Sequence, residues 1–143
     1  MATNLYRAIA LLYPDSTKYQ ANYEQLTVRL NQLDTLIYSK LSASNVRMFI
    51  IHHPALTYYA RHYGLTQIAI EHDGKEPSVA KLKELIATAK EEKIKKVFYQ
   101  RQFSAATVRS IAEEIGASVV EIDPLKEDAV ENLLYITHQI TEK

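Results

Sequence analysis

Apolar positions recur at two different periods along this chain, and the change from one to the other near residue 45 divides it. Leu5, Ile9 and Leu12 are spaced for one face of a helix over residues 3–12. Tyr13-Pro14-Asp15 breaks that helix, and Asp15 or Ser16 stands ready to cap another. From there to about Ser42 the apolar positions Tyr19, Tyr23, Leu26, Leu30, Leu33, Ile37 and Leu41 step by three and four, the stripe of a single long helix. Beyond it, short apolar runs at 46–51, 67–71, 96–100 and 118–122 predict strands. Amphipathic stretches between and after them predict helices over 54–62, 77–92, 104–115 and about 126–141. Pro54 is expected in the opening turn of the first of these, Ser104 as the N-cap of the third, and Gly64 and Gly116 just past two of the ends. The last helix is expected to bury Val130, Leu133, Leu134 and Ile140.

Strand–helix–strand repeated three times implies right-handed crossovers and a parallel sheet covered on both faces. The expected fold class is α/β: a three-layer α/β/α sandwich with a four-stranded parallel sheet, preceded by a long helix. Residues 1–44 form the helical part and residues 45–143 the α/β lobe. In such a sheet, ligands bind at the carboxyl ends of the strands. That rule selects His52, His53 and Pro54, then Glu71, His72 and Asp73, then Arg101 and Gln102, and finally Asp123 and Pro124.

Composition removes several alternatives. Lys+Arg and Asp+Glu number 17 each, so no net charge draws the chain to nucleic acid or an anionic membrane. With no cysteine, thiolate metal sites, thiol catalysis and disulfides are excluded. Met1-Ala2-Thr3-Asn4 does not begin a signal peptide, and no apolar run reaches spanning length. Neither Gly-x-Gly-x-x-Gly nor Gly-x-x-x-x-Gly-Lys occurs, and Gly-x-Ser-x-Gly is absent too, so nucleotide and serine-hydrolase readings lose their main support.

Histidine and carboxylate do collect at the strand ends. Imidazole nitrogen and carboxylate oxygen are natural ligands for Zn²⁺, and both suit Mn²⁺. His53 and Asp123 stand 70 positions apart, so only the fold could unite them. From position alone the plainer reading is stronger: a carboxylate near a helix start is commonly a cap, and a His there simply bonds a backbone group. His72 with Glu71 reads as an exposed loop, His62 as a polar residue in the last turn of its helix, and His138 as a surface residue. Two protein ligands are also too few for a stable zinc site, which has four, or three plus water.

The run FIIHHPALTYYARHYGL, from Phe49 to Leu65, resembles the segment around the third metal ligand of the periplasmic zinc/manganese solute-binding proteins of ABC importers. His53-Pro54-Ala55-Leu56, the aromatics Tyr58 and Tyr59, and Tyr63-Gly64-Leu65 carry that likeness. Glu76-Pro77-Ser78, Gln102-Phe103 and Ile122-Asp123-Pro124-Leu125 are similar to later motifs of the family, in the same order. Tyr13-Pro14-Asp15 and the stretch 19–22 look like the lead into the family's long interlobe helix. The resemblance implies a receptor of two α/β lobes bridged by that helix, with the metal held between them and no catalysis. His53 and Asp123 would be the ligands of the C-terminal lobe. The implied cargo is Zn or Mn, and the implied partners are an N-terminal lobe and a membrane permease, with no nucleic acid. The parent protein would be periplasmic or lipid-anchored outside the cytoplasm, and some relatives serve as adhesins.

The chain departs from the pattern where Arg101 stands in place of an acidic residue before Gln102, and where a His- and acid-rich loop would be expected. The other two ligands belong to a lobe that should precede Met1, so the expectation is a domain fragment carrying half a metal site, empty or weakly binding by itself. Apolar surface left bare would favour a homodimer. The alternative is a small cytosolic α/β regulatory or enzymatic domain without a metal site, with His53 and Asp123 as helix caps.

Overall fold

The computed structural model describes residues 1–71, 74–103 and 105–142, and the chain divides into two compact units, residues 1–39 and 40–143. The first unit holds helix α1 (Ala2–Leu12) and most of helix α2 (Thr17–Ser44). Tyr6 and Tyr23 stack almost parallel, with ring centroids 4.3 Å apart, and the Thr3 and Tyr23 hydroxyls bond at 3.1 Å. The face of α1 turned to α2 is thus shifted by one position from the expected stripe, and Leu5 and Leu12 are exposed. Along α2 the predicted stripe is buried only at Leu33, Ile37 and Leu41; Tyr19, Leu26 and Leu30 are exposed.

The second unit is the α/β sandwich. Its strands are β1 (Met48–Ile51), β2 (Thr66–Ala69), β3 (Lys96–Gln100) and β4 (Ser118–Ile122), with helices α3 (Thr57–His62), α4 (Val79–Glu91), α5 (Ala106–Ile115) and α6 (Ala129–Thr141). The order is β2-β1-β3-β4 and every pairing is parallel. Side-chain alternation sends Ile50 and Val97 to one face, where Leu85 and Ala89 of α4 and Val108, Ile111 and Ala112 of α5 bury them. Phe49, Ile51, Phe98 and Ile122 point to the other face, and Phe49 meets Phe98 edge to face. Their apolar runs are continuous because both faces are covered.

Local chemistry sets the ends of these elements and moves several of them. Helix α3 starts at Thr57, not Pro54. The Leu56 N–H is taken by the Gln67 side-chain oxygen at 2.9 Å, and the Thr57 hydroxyl donates to the Pro54 carbonyl, so residues 54–56 form a separate turn. Helix α5 begins at Ala106 without a side-chain cap at Ala105, and the expected cap Ser104 lies outside the described residues. Gly116 closes α5 with φ +67°, the left-handed conformation that costs a Cβ-bearing residue strain. Helix α6 begins at Ala129 because Asp128 accepts from the Val130 and Glu131 N–H groups at 3.0 Å each.

The buried face of α6 also differs from expectation. Asn132, Ile136, Thr137 and Ile140 are buried, whereas Val130, Leu133 and Leu134 are half-buried. A hydroxyl has one proton, and that of Thr137 goes to the Leu133 carbonyl at 2.6 Å. The Tyr59 hydroxyl, 2.8 Å from Thr137 Oγ1, is therefore the donor in a buried bond that ties α3 to α6. Burial pushes the Tyr59 phenol above its ordinary value, against a smaller lowering by the Thr137 bond.

Tyr59→Phe is expected to lower stability by about 1–3 kcal/mol, because Thr137 loses its donor in a buried place. Chemical denaturation of both proteins at neutral pH measures it. The sign with pH follows from the raised phenol. Its stabilising share is fully present below the unfolded tyrosine value of about 10 and is lost as pH rises from there through the folded value. The Phe variant should lack that alkaline component of the stability profile.

Candidate metal centre

The carboxyl end of the sheet is built by hydrogen bonds that carry the parallel ladder past the last strand residues. The His52 N–H donates to the Phe98 carbonyl at 2.8 Å, the Ile70 N–H to Ile51 at 2.9 Å, and the Glu71 N–H to His52 at 3.1 Å. One residue further, the side chain of Gln100 replaces a neighbouring backbone. Its Oε1 accepts from the His53 N–H at 3.3 Å, and its Nε2 donates to the His53 carbonyl at 2.7 Å. Gln100 is 2% exposed, so this double bond is shielded from water. That carbonyl also closes the next turn by accepting from Ala55.

The His53 ring is held as firmly as its backbone. Its Nδ1 lies 2.7 Å from Oε1 of Glu71, and its plane stacks on Phe103 at 5.1 Å and 21°. A carboxylate can only accept, so Nδ1 carries the proton of this bond, and in the neutral ring the lone pair is on Nε2. The side chain remains 44% accessible. Glu71 is buried rather than part of an exposed loop, because the extended ladder pulls its backbone against His52. The expected loop partners His72 and Asp73 lie outside the described residues. His52 is buried, packs on the same Phe103 ring at 5.2 Å, and has a buried Nδ1 without a hydrogen-bond partner among the described residues, 4.0 Å from the second Glu71 oxygen.

Asp123 follows β4 at the same end of the sheet. Its Oδ1 accepts from the Leu125 N–H at 3.0 Å, an Asx turn, and its carbonyl accepts from the Asn132 side chain at 2.8 Å. The cap of α6 is Asp128, so Asp123 does not serve that helix as its N-cap. Its carboxylate has a second oxygen to offer a cation. Parallel register aligns Ile51 with Phe98 and Phe98 with Val120, which sets His53 level with Gln100 and Ile122. Two strand spacings, about 10 Å, then separate the backbones of His53 and Asp123. The 420 Å³ depression at this end is lined by His52, His53, Glu71, Gly74, Lys75, Glu76 and Phe103, and Asp123 is not among them. Among the described residues, no group of three or more His, Cys, Asp or Glu could hold a metal ion.

The other sequence-selected residues lie elsewhere. His62 ends α3 and meets Tyr63 edge to face. His138 Nε2 pairs with Glu142 at 3.0 Å on the exposed side of α6. Gln100 and Asn132 escaped sequence reasoning as positioning groups. Asn132 had a signal, a polar residue four positions before Ile136 and eight before Ile140 on the buried face. Gln100 had a weaker one, a polar residue closing an apolar strand at the end where ligands bind.

Comparison with known proteins bears on the whole chain. The profile of the family described as ZnuA, zinc-uptake complex component A, periplasmic, matches residues 1–141. The high-affinity zinc uptake system protein ZnuA of Bacillus subtilis (strain 168) is 32% identical over 130 residues, covering 86% of this chain and 41% of that protein. A crystal structure of ZnuA superposes with a TM-score of 0.91 at 40% identity, over 97% of this chain and 55% of the other. A ZnuA deletion mutant with zinc bound gives 0.89 at 40% identity, over 97% and 54%. The chain thus spans less than half the length of the curated relative and about half of the solved ones.

Gln100→Ala is expected to cost about 1–3 kcal/mol, since it strips partners from two backbone groups of His53. Faster amide exchange at His53, set against unchanged exchange in α4 and α5, would locate the loss.

Proposed function

This chain belongs to the periplasmic zinc-uptake complex component A family, and from that membership we propose that it is the C-terminal metal-binding lobe of a two-lobe receptor that delivers Zn²⁺ or Mn²⁺ to an ABC importer. His53 and Asp123 are its two ligands. The observation that carries this reading is the setting of His53: Nδ1 bonds Glu71 on a side chain still 44% accessible, which leaves Nε2 as its donor for a cation at the carboxyl end of β1. Asp123 offers carboxylate oxygen at the same sheet end, with its backbone fixed by Asn132. One nitrogen and one oxygen donor suit zinc, and manganese too, and neither needs the thiolate that this sequence lacks.

The metal is cargo, so the site must grip and then release it without chemistry. Two protein donors fall short of the four, or three plus water, that a stable zinc site has, and the remaining ligands come from the N-terminal lobe. The chain on its own is half a site. The receptor works outside the cytoplasm, periplasmic or lipid-anchored, and its partner in the membrane is the permease. The competing assignment, a cytosolic domain in which Asp123 is a helix cap, is disfavoured by Asp128 filling that role in α6.

Calorimetric titration of this chain with Zn²⁺ is expected to give no tight one-to-one site. A tight site lost in His53→Ala would overturn the half-site reading. In the two-lobe receptor, His53→Ala and Asp123→Ala should each weaken Zn²⁺ binding by more than about 100-fold, beyond what loss of an outer partner costs.

Leu5, Leu12, Leu26, Leu30 and Tyr38 are exposed in the first unit, and so many bare apolar side chains favour self-association. Light scattering across a wide concentration range is expected to show dimers, and a monomer throughout would refute this.

A further inference from the structure

We infer that Glu71 is the positioning residue of this site: its carboxylate selects the Nδ1–H form of His53 and turns Nε2 toward the open end of the sheet. The inference rests on the assignment of His53 as a metal ligand and extends it to a residue outside the ligand set.

Three observations carry it. The first is the 2.7 Å contact between Glu71 Oε1 and His53 Nδ1, made by a carboxylate with only about a tenth of its side chain accessible. Burying a carboxylate is costly unless it is bonded, and His53 is its close partner here. The second is that Glu71 has a fixed backbone. Its N–H bonds the His52 carbonyl, so the carboxylate is presented by the same ladder that presents His53. The third is that the other degrees of freedom of His53 are already removed. Gln100 holds both polar groups of its backbone and Phe103 stacks on its ring. What those contacts leave undecided is which nitrogen bears the proton, and only a hydrogen-bond partner decides that.

A free imidazole in water is divided between its two neutral forms, and only the form with Nε2 unprotonated presents that atom to a cation. Without Glu71, His53 would spend part of its population with Nε2 blocked, and its ring would turn more freely about the Cβ–Cγ bond. Ligand histidines commonly gain this order from a carboxylate on the second nitrogen. His52 does not compete for that carboxylate: its own Nδ1 is buried without a hydrogen-bond partner among the described residues, and the second Glu71 oxygen stands 4.0 Å from it.

The test uses the whole 143-residue chain, ¹⁵N-labelled and metal-free, with long-range ¹H–¹⁵N correlations reporting the two ring nitrogens of His53. The expected wild-type pattern is a protonated Nδ1 and an unprotonated Nε2. Glu71→Ala should shift the population toward protonated Nε2, whereas Glu71→Gln, whose amide oxygen still accepts, should largely restore the wild-type pattern. If the alanine variant does not fold, Glu71→Leu fills the space and serves the same purpose. A wild-type ring protonated at Nε2, or a pattern unmoved by loss of the carboxylate, overturns the inference. Titrating Zn²⁺ into the two-lobe receptor carrying the same substitutions then separates this claim from the one beneath it. Weakening of the His53 response by roughly 10–100-fold in Glu71→Ala supports positioning for metal. A wild-type His53 ring that ignores Zn²⁺ while showing the expected tautomer overturns the ligand assignment and leaves the tautomer result standing.

Discussion

The parallel ladder that joins β1 to β2 on one side and to β3 on the other does not stop where the strands do. Backbone bonds from His52, Ile70 and Glu71 continue it by a further step, and the buried amide of Gln100 extends it by one more. His52, His53 and Glu71 take their places from this extension. An unpaired buried backbone group is costly, so each bond in the series is obligatory once the sheet has formed. The position of the His53 ring is therefore set by the same forces that set the fold.

Gln100 and Asn132 solve one problem in two places. The chain must leave the sheet and turn at both His53 and Asp123, and at each turn a backbone carbonyl faces inward with no strand to pair with. A side-chain amide from a neighbouring element supplies the donor. An apolar residue at either position would remove that donor and leave the carbonyl only its turn bond, from Ala55 at His53 and from Lys126 at Asp123. The two amides thereby decide where the side chains of His53 and Asp123 begin.

The architecture was legible because its signals are periodic and long. Steps of three and four along residues 19–41 and four evenly ordered apolar runs leave little freedom for anything but helices and a covered parallel sheet. Element ends were harder, because they answer to single bonds. Gln67 delays α3 past Pro54 by capturing one N–H, and Asp128 rather than a residue near 126 starts α6. His53 and Asp123 could be singled out by strand-end logic and by family motifs together. Their pairing with the supporting groups could not be read, since Glu71 sits 18 positions from His53 and Gln100 sits 47 positions away. Only the register of β1 with its neighbours brings them close.

The near-parallel pair of Tyr6 and Tyr23 stands apart from all this, in the helical unit, and holds α1 to α2 largely through ring faces and one hydroxyl bond. Stacked rings can slide over one another at little cost, unlike interlocked aliphatic side chains. A helix pair fastened in this way is a compliant joint, firm against separation and soft to shear. Within the first unit, a slide of α1 along α2 would then work first against that ring overlap and the Thr3–Tyr23 bond.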